Sequence, residues 1–361
     1  MNEKTISFLR RAYKEYYFRN SDSIGFPDEI QSREFGYIPF GGGMVRHISF
    51  KSAGDAVTEI LRQSPSSVYC SNAKYESPTL PMEAKGWKGA ELIFDVDATD
   101  IPTPCKRSHD FWYCAKCHAT GRLPKPPVCP KCSGPTADFH GTCSVCLAAS
   151  KEHTLRAIDF LLKDFGVSSG DIIAYFSGNR GYHLQVYDQR FEQLDQQGRA
   201  EIAEYILGSS LPPSQTLAAS LRHSPAGSPN EERGWMRRIW RYAQSRSARA
   251  NTPPKLVTEA VSSQRAMIDA SVTTDIHRVF RLAGTLHGNT GMAKMRVGSF
   301  ESFDPERDPV VISSDKAGVL VSFYPKFTMN GQTFGPFSSQ RVSLPAYAAV
   351  PILTRGFGEV A

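Results

Sequence analysis

The sequence has no long uncharged apolar run. None of about 18 residues occurs among its 361 residues, so no membrane-spanning helix is predicted. The first 20 residues mix charged with apolar side chains, which is unlike a secretory signal and leads us to expect a cytoplasmic protein. Internal repeats and low-complexity tracts are also lacking. The composition, 40% apolar and 22% charged, is typical of globular proteins.

Cysteine is scarce outside one short stretch. Seven of the eight cysteines lie between residues 105 and 146, and only Cys70 lies elsewhere. Crowding of this kind in a chain without a secretory signal indicates metal binding rather than disulfides. Cys70 has no partner pattern and is predicted to be a packed or free thiol. The net charge of +6 suits a nucleic-acid or nucleotide partner, but many enzymes without a polyanionic partner carry it as well.

Hydrophobic spacing predicts both helices and strands, and therefore a mixed α/β fold. Apolar residues at helical spacing predict amphipathic helices over 4–18 and 150–165. An apolar strand is predicted over 91–97, and a strand, a turn and a second strand over 172–188. The last 60 residues, rich in Val, Phe, Ser and Pro, are predicted to add strands.

Phe94-Asp95-Val96-Asp97 ends the predicted strand at 91–97. Side chains two apart on a strand point to the same face, so Asp95 and Asp97 can hold divalent metal together. Magnesium prefers carboxylate oxygens and completes its shell with water and substrate phosphates. The alternative is that both aspartates face solvent at a strand edge.

A second motif, Ser177-Gly178-Asn179-Arg180-Gly181-Tyr182-His183, lies between two predicted strands. Its glycines permit a tight turn that brings backbone N–H groups to an anion, while Arg180 and His183 add donors. This pattern predicts a triphosphate cradle. A β-hairpin turn with an exposed arginine is the alternative.

A third group begins at Asp269, which is predicted on a short strand. Arg278 and Arg281 follow one helical step apart, and His287 lies in a Gly-rich loop. These residues would add a metal ligand and phosphate contacts. Alternatively, Asp269 begins a helix and Arg278 lies on a solvated face.

Taken together and in this order, the three motifs resemble those of the small catalytic subunit of the archaeal and eukaryotic type of DNA primase. The resemblance implies a primase-type catalytic core, Mg²⁺ or Mn²⁺ at Asp95, Asp97 and Asp269, single-stranded DNA and nucleoside triphosphates as substrates, and a large subunit as partner. The family's Arg-Glu-Phe segment and arginine-bearing strand look like Arg33-Glu34-Phe35 and Arg46 here, and Asn179 replaces a second arginine that some relatives carry. By the resemblance, the residues that hold the nucleotide are Ser177, Arg180, His183, Arg281, His287 and Arg46.

The resemblance also suggests how the chain is divided and which rival functions stay open. We expect a catalytic core of mixed sheets flanked by helices at 1–104, 147–189 and 265–361, an inserted zinc-binding module at 105–146, and a helical subdomain at 190–264. Rival functions are a repair or lesion-bypass polymerase of the same superfamily, and a zinc-ribbon nucleic-acid-binding subunit without catalysis.

Two metal sites are predicted within the cysteine-rich stretch. Cys114-x-x-Cys117 and Cys129-x-x-Cys132 are two knuckles of the kind that hold tetrahedral zinc, with an iron–sulfur cluster as the alternative. The remaining cysteines need a fourth ligand, for which His118 and His140 compete with His109. The resemblance implies a second zinc at Cys105, His109, Cys143 and Cys146.

Arginines and aromatic residues alternate between residues 230 and 250. Such a segment can track a phosphate backbone and stack on unpaired bases. A solvated helix face that packs its tryptophans inward is the alternative. The residues concerned are Arg233, Arg237, Arg238, Arg241, Arg246 and Arg249 with Trp235, Trp240 and Tyr242.

Overall fold

The computed structural model describes residues 1–223, 234–246 and 253–361. Both helices and strands occur along this part of the chain, as the sequence predicts. The helices are α1 (Glu3–Arg19), α2 (Ala53–Gln63), α3 (Lys106–His109), α4 (Ser144–Lys163), α5 (Gln196–Leu207), α6 (Ser214–His223), α7 (Gly234–Ser245), α8 (Pro254–Gln264), α9 (Ala270–Thr274) and α10 (Ala346–Thr354). The strands are β1 (Arg33–Ile38), β2 (Val45–Ile48), β3 (Ser67–Tyr75), β4 (Trp87–Ala90), β5 (Leu92–Asp97), β6 (Phe111–Cys114), β7 (Thr120–Gly121), β8 (Thr136–Phe139), β9 (Ile172–Phe176), β10 (Gly181–Val186), β11 (Val279–Arg281), β12 (Met295–Arg296), β13 (Lys316–Tyr324), β14 (Phe327–Met329), β15 (Gln332–Phe334), β16 (Phe337–Pro345) and β17 (Gly358–Val360).

Two antiparallel sheets form the centre of the molecule. The first has the order β11-β3-β1-β2, with β4 also paired to β3, and the second has the order β12-β9-β10-β5. The backbone N–H of Glu91 donates to the carbonyl of Asn72 at 3.1 Å, which ties the start of β5 to β3 of the first sheet. A cleft therefore lies where β5 and β10 face β3 and β11.

Helices cover the second sheet. Phe94 and Leu184, from β5 and β10, are fully buried together with Phe160 of α4 and Ile239 of α7. The mixed α/β class predicted from the sequence is confirmed. Within the described residues, no helix has both the length and the apolarity needed to cross a membrane.

The helix α1 packs on the C-terminal part of the chain. The Asn2 side chain accepts from the Thr5 backbone N–H at 2.8 Å and so caps the helix, and Leu9 and Tyr13 on its apolar stripe are fully buried. The last strands form a sheet in the order β16-β13-β17, next to the hairpin β14-β15. The buried helix α10 was not predicted, because its nearly continuous apolar run, AYAAVPIL, has no polar face to reveal a helical period.

Two predictions near the third motif are wrong in their local structure. Asp269 is not on a strand: it caps the short helix α9, and its Oδ1 accepts from the Ser271 backbone N–H at 2.9 Å. Arg278 and Arg281 flank and end the strand β11, so they are not a helical step apart. A carboxylate that hydrogen-bonds a backbone N–H two residues on favours a helix start over a strand.

Candidate active site

Three carboxylates meet at the end of β5. Asp95 and Asp97 point to the same face of the strand, and the Asp269 backbone N–H donates to the Asp95 carbonyl at 2.9 Å, which holds α9 beside the strand. The Thr99 hydroxyl and backbone N–H donate to Asp97 Oδ1 at 2.6 and 2.7 Å. The strand and the adjoining loop therefore hold these carboxylates in place.

The strand β10 lies antiparallel beside β5, in a register that pairs Gly181 with Asp97 and His183 with Asp95. His183 Nε2 is 3.6 Å from Asp95 Oδ1, and Arg180 Nε is 3.5 Å from Asp97 Oδ1. The second motif and the Asp-x-Asp motif, 80 residues apart in the sequence, are therefore neighbours in space.

The glycines of the second motif are required by the packing. A Cβ on Gly181 would lie 1.9 Å from the Val96 carbonyl oxygen. Gly178 has a φ of +81°, in the left-handed region, and its carbonyl accepts from the Thr290 hydroxyl at 2.6 Å. The turn is thereby fixed against the loop that carries His287.

Burial and like charge perturb the carboxylates. Burial, and next the nearby Asp97 and Asp269, raise the pKa of Asp95 to about 7. The pKa of Asp100 is raised by the same causes, burial first. Carboxylates crowded in this way form a donor set that suits a hard divalent cation such as Mg²⁺ or Mn²⁺.

Basic and imidazole groups face the carboxylates across the cleft. Arg281 Nη1 donates to the Leu286 carbonyl at 3.0 Å, and its guanidinium lies over the Tyr69 ring at 5.2 Å. His287 Nδ1 accepts from the Asn289 backbone N–H at 3.2 Å, which leaves Nε2 to carry the ring proton. Burial, assisted by the surrounding cations, lowers the pKa of both His183 and His287 well below the ordinary value, so both are neutral.

The cleft has a volume of about 250 Å³. The structure brings the carboxylate metal-ligand candidates and the nucleotide-binding candidates together at this cleft, except for Arg46. The Arg46 guanidinium pairs with Glu34 at 2.8 and 3.1 Å on the first sheet. A nucleotide role for Arg46 stays a prediction. The residues that line the cleft are Tyr69, Asp95, Asp97, Ser177, Asn179, His183, Val272, Arg278, Val279, Phe280, Arg281 and His287.

Sequence reasoning missed Lys294 and Tyr69. Lys294 is buried, donates to the Arg281 carbonyl at 2.9 Å and lies 4.6 Å from the centre of the Tyr175 ring. Burial lowers its pKa to about 7. Neither residue belongs to a recognisable motif, so only the fold could reveal that both contact Arg281.

The cysteine-rich stretch forms two groups of possible metal ligands. In the first, Cys114 Sγ is 3.5 Å from Cys132 Sγ, and Cys117 Sγ is 3.7 Å from Cys129 Sγ. The ligand atoms of each group lie within 4.8 Å of one another. Four thiolates at such distances can close around one tetrahedral ion.

The second group contains Cys105, Cys143, Cys146 and His109. Cys146 Sγ is 3.3 Å from Cys105 Sγ and 3.2 Å from His109 Nε2, and Cys143 Sγ is 3.6 Å from His109 Nε2. His109 Nδ1 lies 2.7 Å from Asp110, which orients the ring with Nε2 toward the thiols.

The other two histidines considered for this site lie outside both groups. His140 Nδ1 is 3.1 Å from Asp110 Oδ2, and the His140 carbonyl accepts from Arg180 Nη1 at 3.5 Å. His140 therefore connects the second cysteine group to the turn that carries Arg180 rather than joining the ligand set.

Comparison with known proteins identifies the family. Residues 138–298 match the family model described as DNA primase small subunit. The DNA primase small subunits PriS of Cenarchaeum symbiosum and Nitrosopumilus maritimus are 35% and 34% identical to this chain, each over 100% of both chains. That of Archaeoglobus fulgidus is 30% identical over 98% of both.

The chain therefore belongs to the DNA primase small-subunit family. It is an enzyme of DNA replication, a primase with nucleotidyltransferase activity. Among solved structures, the polymerase domain of Mycobacterium tuberculosis ligase D in complex with DNA aligns with a TM-score of 0.40 at 13% identity, covering 82% of this chain and 83% of that one.

Proposed function

We propose that the chain synthesises short primers on single-stranded DNA from nucleoside triphosphates, by two-metal-ion catalysis in the cleft between the two central sheets. The observation that carries this proposal is the register of β10 against β5, because it places His183 and Arg180 beside Asp95 and Asp97. One cleft then contains both a carboxylate group for metal and donors for a triphosphate.

Asp95, Asp97 and Asp269 would hold two Mg²⁺ or Mn²⁺ ions. When bound, such ions lower the pKa of the attacking 3′-hydroxyl and neutralise charge on the leaving pyrophosphate. The carboxylates fit this role because they crowd together in one cleft, where burial first and then the neighbouring Asp97 and Asp269 raise the pKa of Asp95.

The protein's other groups would bind and orient the nucleotide. Arg180 and Arg281 offer charge-assisted donors to phosphate oxygens, and Ser177 adds a hydroxyl at the start of the turn. Because His183 and His287 are neutral, they would donate hydrogen bonds without repelling the arginines. Positioning and preorganised electrostatics then supply most of the rate.

Both cysteine groups would bind structural zinc. The four-cysteine set is complete, and the set with His109 is completed by an imidazole that Asp110 orients. Four protein ligands leave no open coordination position, so neither zinc would take part in catalysis. We also retain the division into a core, the zinc-binding module at 105–146 and the helical subdomain at 190–264, together with a large subunit as partner.

Primer synthesis from free nucleotides on an unprimed single-stranded template tests the proposed function. Wild-type protein should make short products with Mg²⁺ or Mn²⁺, with ribonucleotides and deoxyribonucleotides tested separately, with and without the large subunit. Asp97→Asn is the matched inactive control. Extension of a supplied primer without any synthesis on the bare template would favour the repair-polymerase rival, and template binding without any nucleotide addition would favour a non-catalytic subunit.

A further inference from the structure

The helix α7 has one apolar and one basic face. Trp235, Ile239 and Ala243, four residues apart, are buried against the helices around the second sheet. The Trp235 indole N–H donates to the Tyr205 carbonyl at 2.7 Å, so this tryptophan is a packing residue and is not available for base stacking. Arg237 and Arg241 lie on the opposite face, and the pocket that they line also contains Arg238 and Tyr242.

The basic face lines a pocket of about 290 Å³ at the C-terminal end of α4. Four cationic side chains and two carboxylates border it, an excess of two positive charges. A pocket with this charge attracts anions. The charged residues are Lys163, Arg237, Arg238 and Arg241 with Asp159 and Asp164.

The arginines of this pocket differ in whether they already have ion-pair partners. Arg238 bonds Asp159 and Asp164 at 2.8 and 3.1 Å and lies 3.7 Å above the Phe160 ring, so it ties α7 to α4. Arg237 and Arg241 make no ion pair within the described ranges, and the buried Nε of Arg237 has no acceptor there. Two guanidinium groups are therefore available to a ligand, and each can take a phosphate in bidentate fashion.

The pocket is remote from the catalytic cleft. The helix α4 begins at the second cysteine group, which adjoins Arg180 through His140, and ends at Lys163 beside the pocket. From Cys146 to Lys163, a helical rise of 1.5 Å per residue gives roughly 25 Å. At the roughly 3.4 Å per nucleotide of a fully stacked strand, about seven nucleotides cover that distance, and an extended strand needs fewer.

We propose that the basic face of α7, formed by Arg237 and Arg241, is a second contact for the single-stranded template and binds its backbone phosphates. The inference rests on the proposed function, since it takes single-stranded DNA as the template. Arg237 and Arg241 lie one helical turn apart, about 6 Å along the axis, so each can contact a different phosphate of one strand. Two separate phosphate contacts suit a polyanion better than a single small anion.

Binding of single-stranded DNA of two lengths can distinguish the α7 contact from the catalytic cleft. Equilibrium binding of labelled oligothymidylates of 6 and 30 nucleotides is measured at several salt concentrations for wild type and for R237A/R241A. The double variant should bind the 30-mer roughly tenfold more weakly, and the slope of log affinity against log salt should fall by about 1.4, because two phosphate contacts are lost. Affinity for the 6-mer, which is too short to occupy the cleft and the α7 face together as the 30-mer does, should fall much less.

Two further variants make the test specific. R237K/R241K keeps both charges and should retain most of the affinity for the 30-mer. R10A/R11A removes two exposed arginines from α1 and should leave the 30-mer affinity and its salt slope unchanged. Thermal unfolding of each variant verifies that the protein is folded.

Three results would overturn the assignment. They are unchanged 30-mer binding in R237A/R241A, an equal loss in R10A/R11A, and loss of large-subunit capture with DNA binding intact, which would assign the face to a protein partner. Primer synthesis by the wild-type chain is assayed on a separate long template. If the wild-type chain synthesises primers but R237A/R241A binds the 6-mer and the 30-mer as wild type does, the α7 contact is wrong and the proposed function stands.

Discussion

His183 of β10 lies directly opposite Asp95 of β5, with Nε2 3.6 Å from Oδ1. The two side chains do not neutralise each other, because burial keeps the imidazole uncharged and Nδ1 has no hydrogen-bond partner in the described structure. The His183 ring packs edge-on against the Phe280 ring, with the two ring centres 5.5 Å apart. An unpaired carboxylate and a neutral donor therefore face one cleft, where they can bind different parts of a substrate.

Replacing Asp97 by alanine should abolish nucleotide addition. The carboxylate is held by Thr99 in a position to share metal with Asp95, and no other acidic side chain on β5 can replace it. Nucleotide incorporation is measured in Mg²⁺ and in Mn²⁺, with Asp138→Ala in the zinc-binding module as the control. Near-normal incorporation by the Asp97 variant in either ion would show that the ligand assignment is wrong.

Replacing Asp95 by asparagine should stabilise the protein in buffer without Mg²⁺ or Mn²⁺. The folded-state pKa near 7 lies above the ordinary value, so ionisation of Asp95 costs native stability as the pH rises from about 4, and the cost is complete above about 7. At pH 8 the variant should gain roughly 1–3 kcal/mol. The gain should shrink as the pH falls toward 4 and vanish below about pH 3, where the carboxyl is protonated in both states.

Chemical unfolding of wild type and Asp95→Asn across this pH range measures the difference. No chelator is added, so any metal held by the two cysteine groups is retained. Equal stability of the two proteins at pH 8 would contradict the crowding of carboxylates in the cleft.

The protein should bind two zinc ions independently. Replacing Cys129 and Cys132 by serine should remove about one zinc per chain, and His109→Cys should keep two because a fourth thiolate can complete the other site. Cys70→Ala is the matched control, since this buried thiol lies outside both groups. Metal analysis that finds a single zinc in wild type, or iron with visible absorbance, would refute the two-site arrangement.

Part of the arrangement was predictable from the sequence because the motifs lie where strands end. Strand alternation predicts that Asp95 and Asp97 share a face, and a Gly-rich turn between two strands predicts the hairpin that carries Arg180. The pairing of β10 with β5, which brings Arg180 to Asp97, has no signal in the sequence. Lys294 was not predictable, because a lone lysine between apolar residues carries no pattern that distinguishes burial from exposure. Asp269 was placed on a strand because short capping helices lack the length to show a period.

The segment from 230 to 250 was ambiguous for a related reason. Alternating arginines and tryptophans fit a nucleic-acid surface and an amphipathic helix equally well. The structure shows Trp235 packed inward and Arg241 exposed. Arg233 and Arg249 lie outside the described residues.

Gly181→Ala should destabilise the pairing of β5 with β10 more than an ordinary glycine replacement does. The added methyl would overlap the Val96 carbonyl at 1.9 Å, and that backbone atom cannot move without breaking the ladder. A loss of more than about 2 kcal/mol is expected in the free energy of unfolding. Gly298→Ala, where the added Cβ would meet no atom within 4 Å, should change it by about 1 kcal/mol or less. Equal effects of the two replacements would show that the tight register is not required.

Arg180 and His183 should bind the triphosphate rather than the template. Loss of one charge-assisted contact costs roughly 1.5 to 3 kcal/mol, so Arg180→Ala should weaken nucleotide binding by about one to two powers of ten. His183→Ala should act in the same direction but less, because the neutral imidazole offers an uncharged donor. Arg180→Lys keeps the charge without the planar fork and should fall between wild type and alanine.

Two titrations of each variant separate the possibilities, one with labelled nucleotide and one with single-stranded DNA at fixed salt. DNA affinity should hardly change, because the turn packs between β5 and the His287 loop and its donors point at the carboxylate cleft. If DNA binding collapses while nucleotide binding survives, the turn belongs to the template path. If both survive, the turn serves only to connect β9 with β10, and the triphosphate must be held by Arg281 and His287 on the opposite side of the cleft.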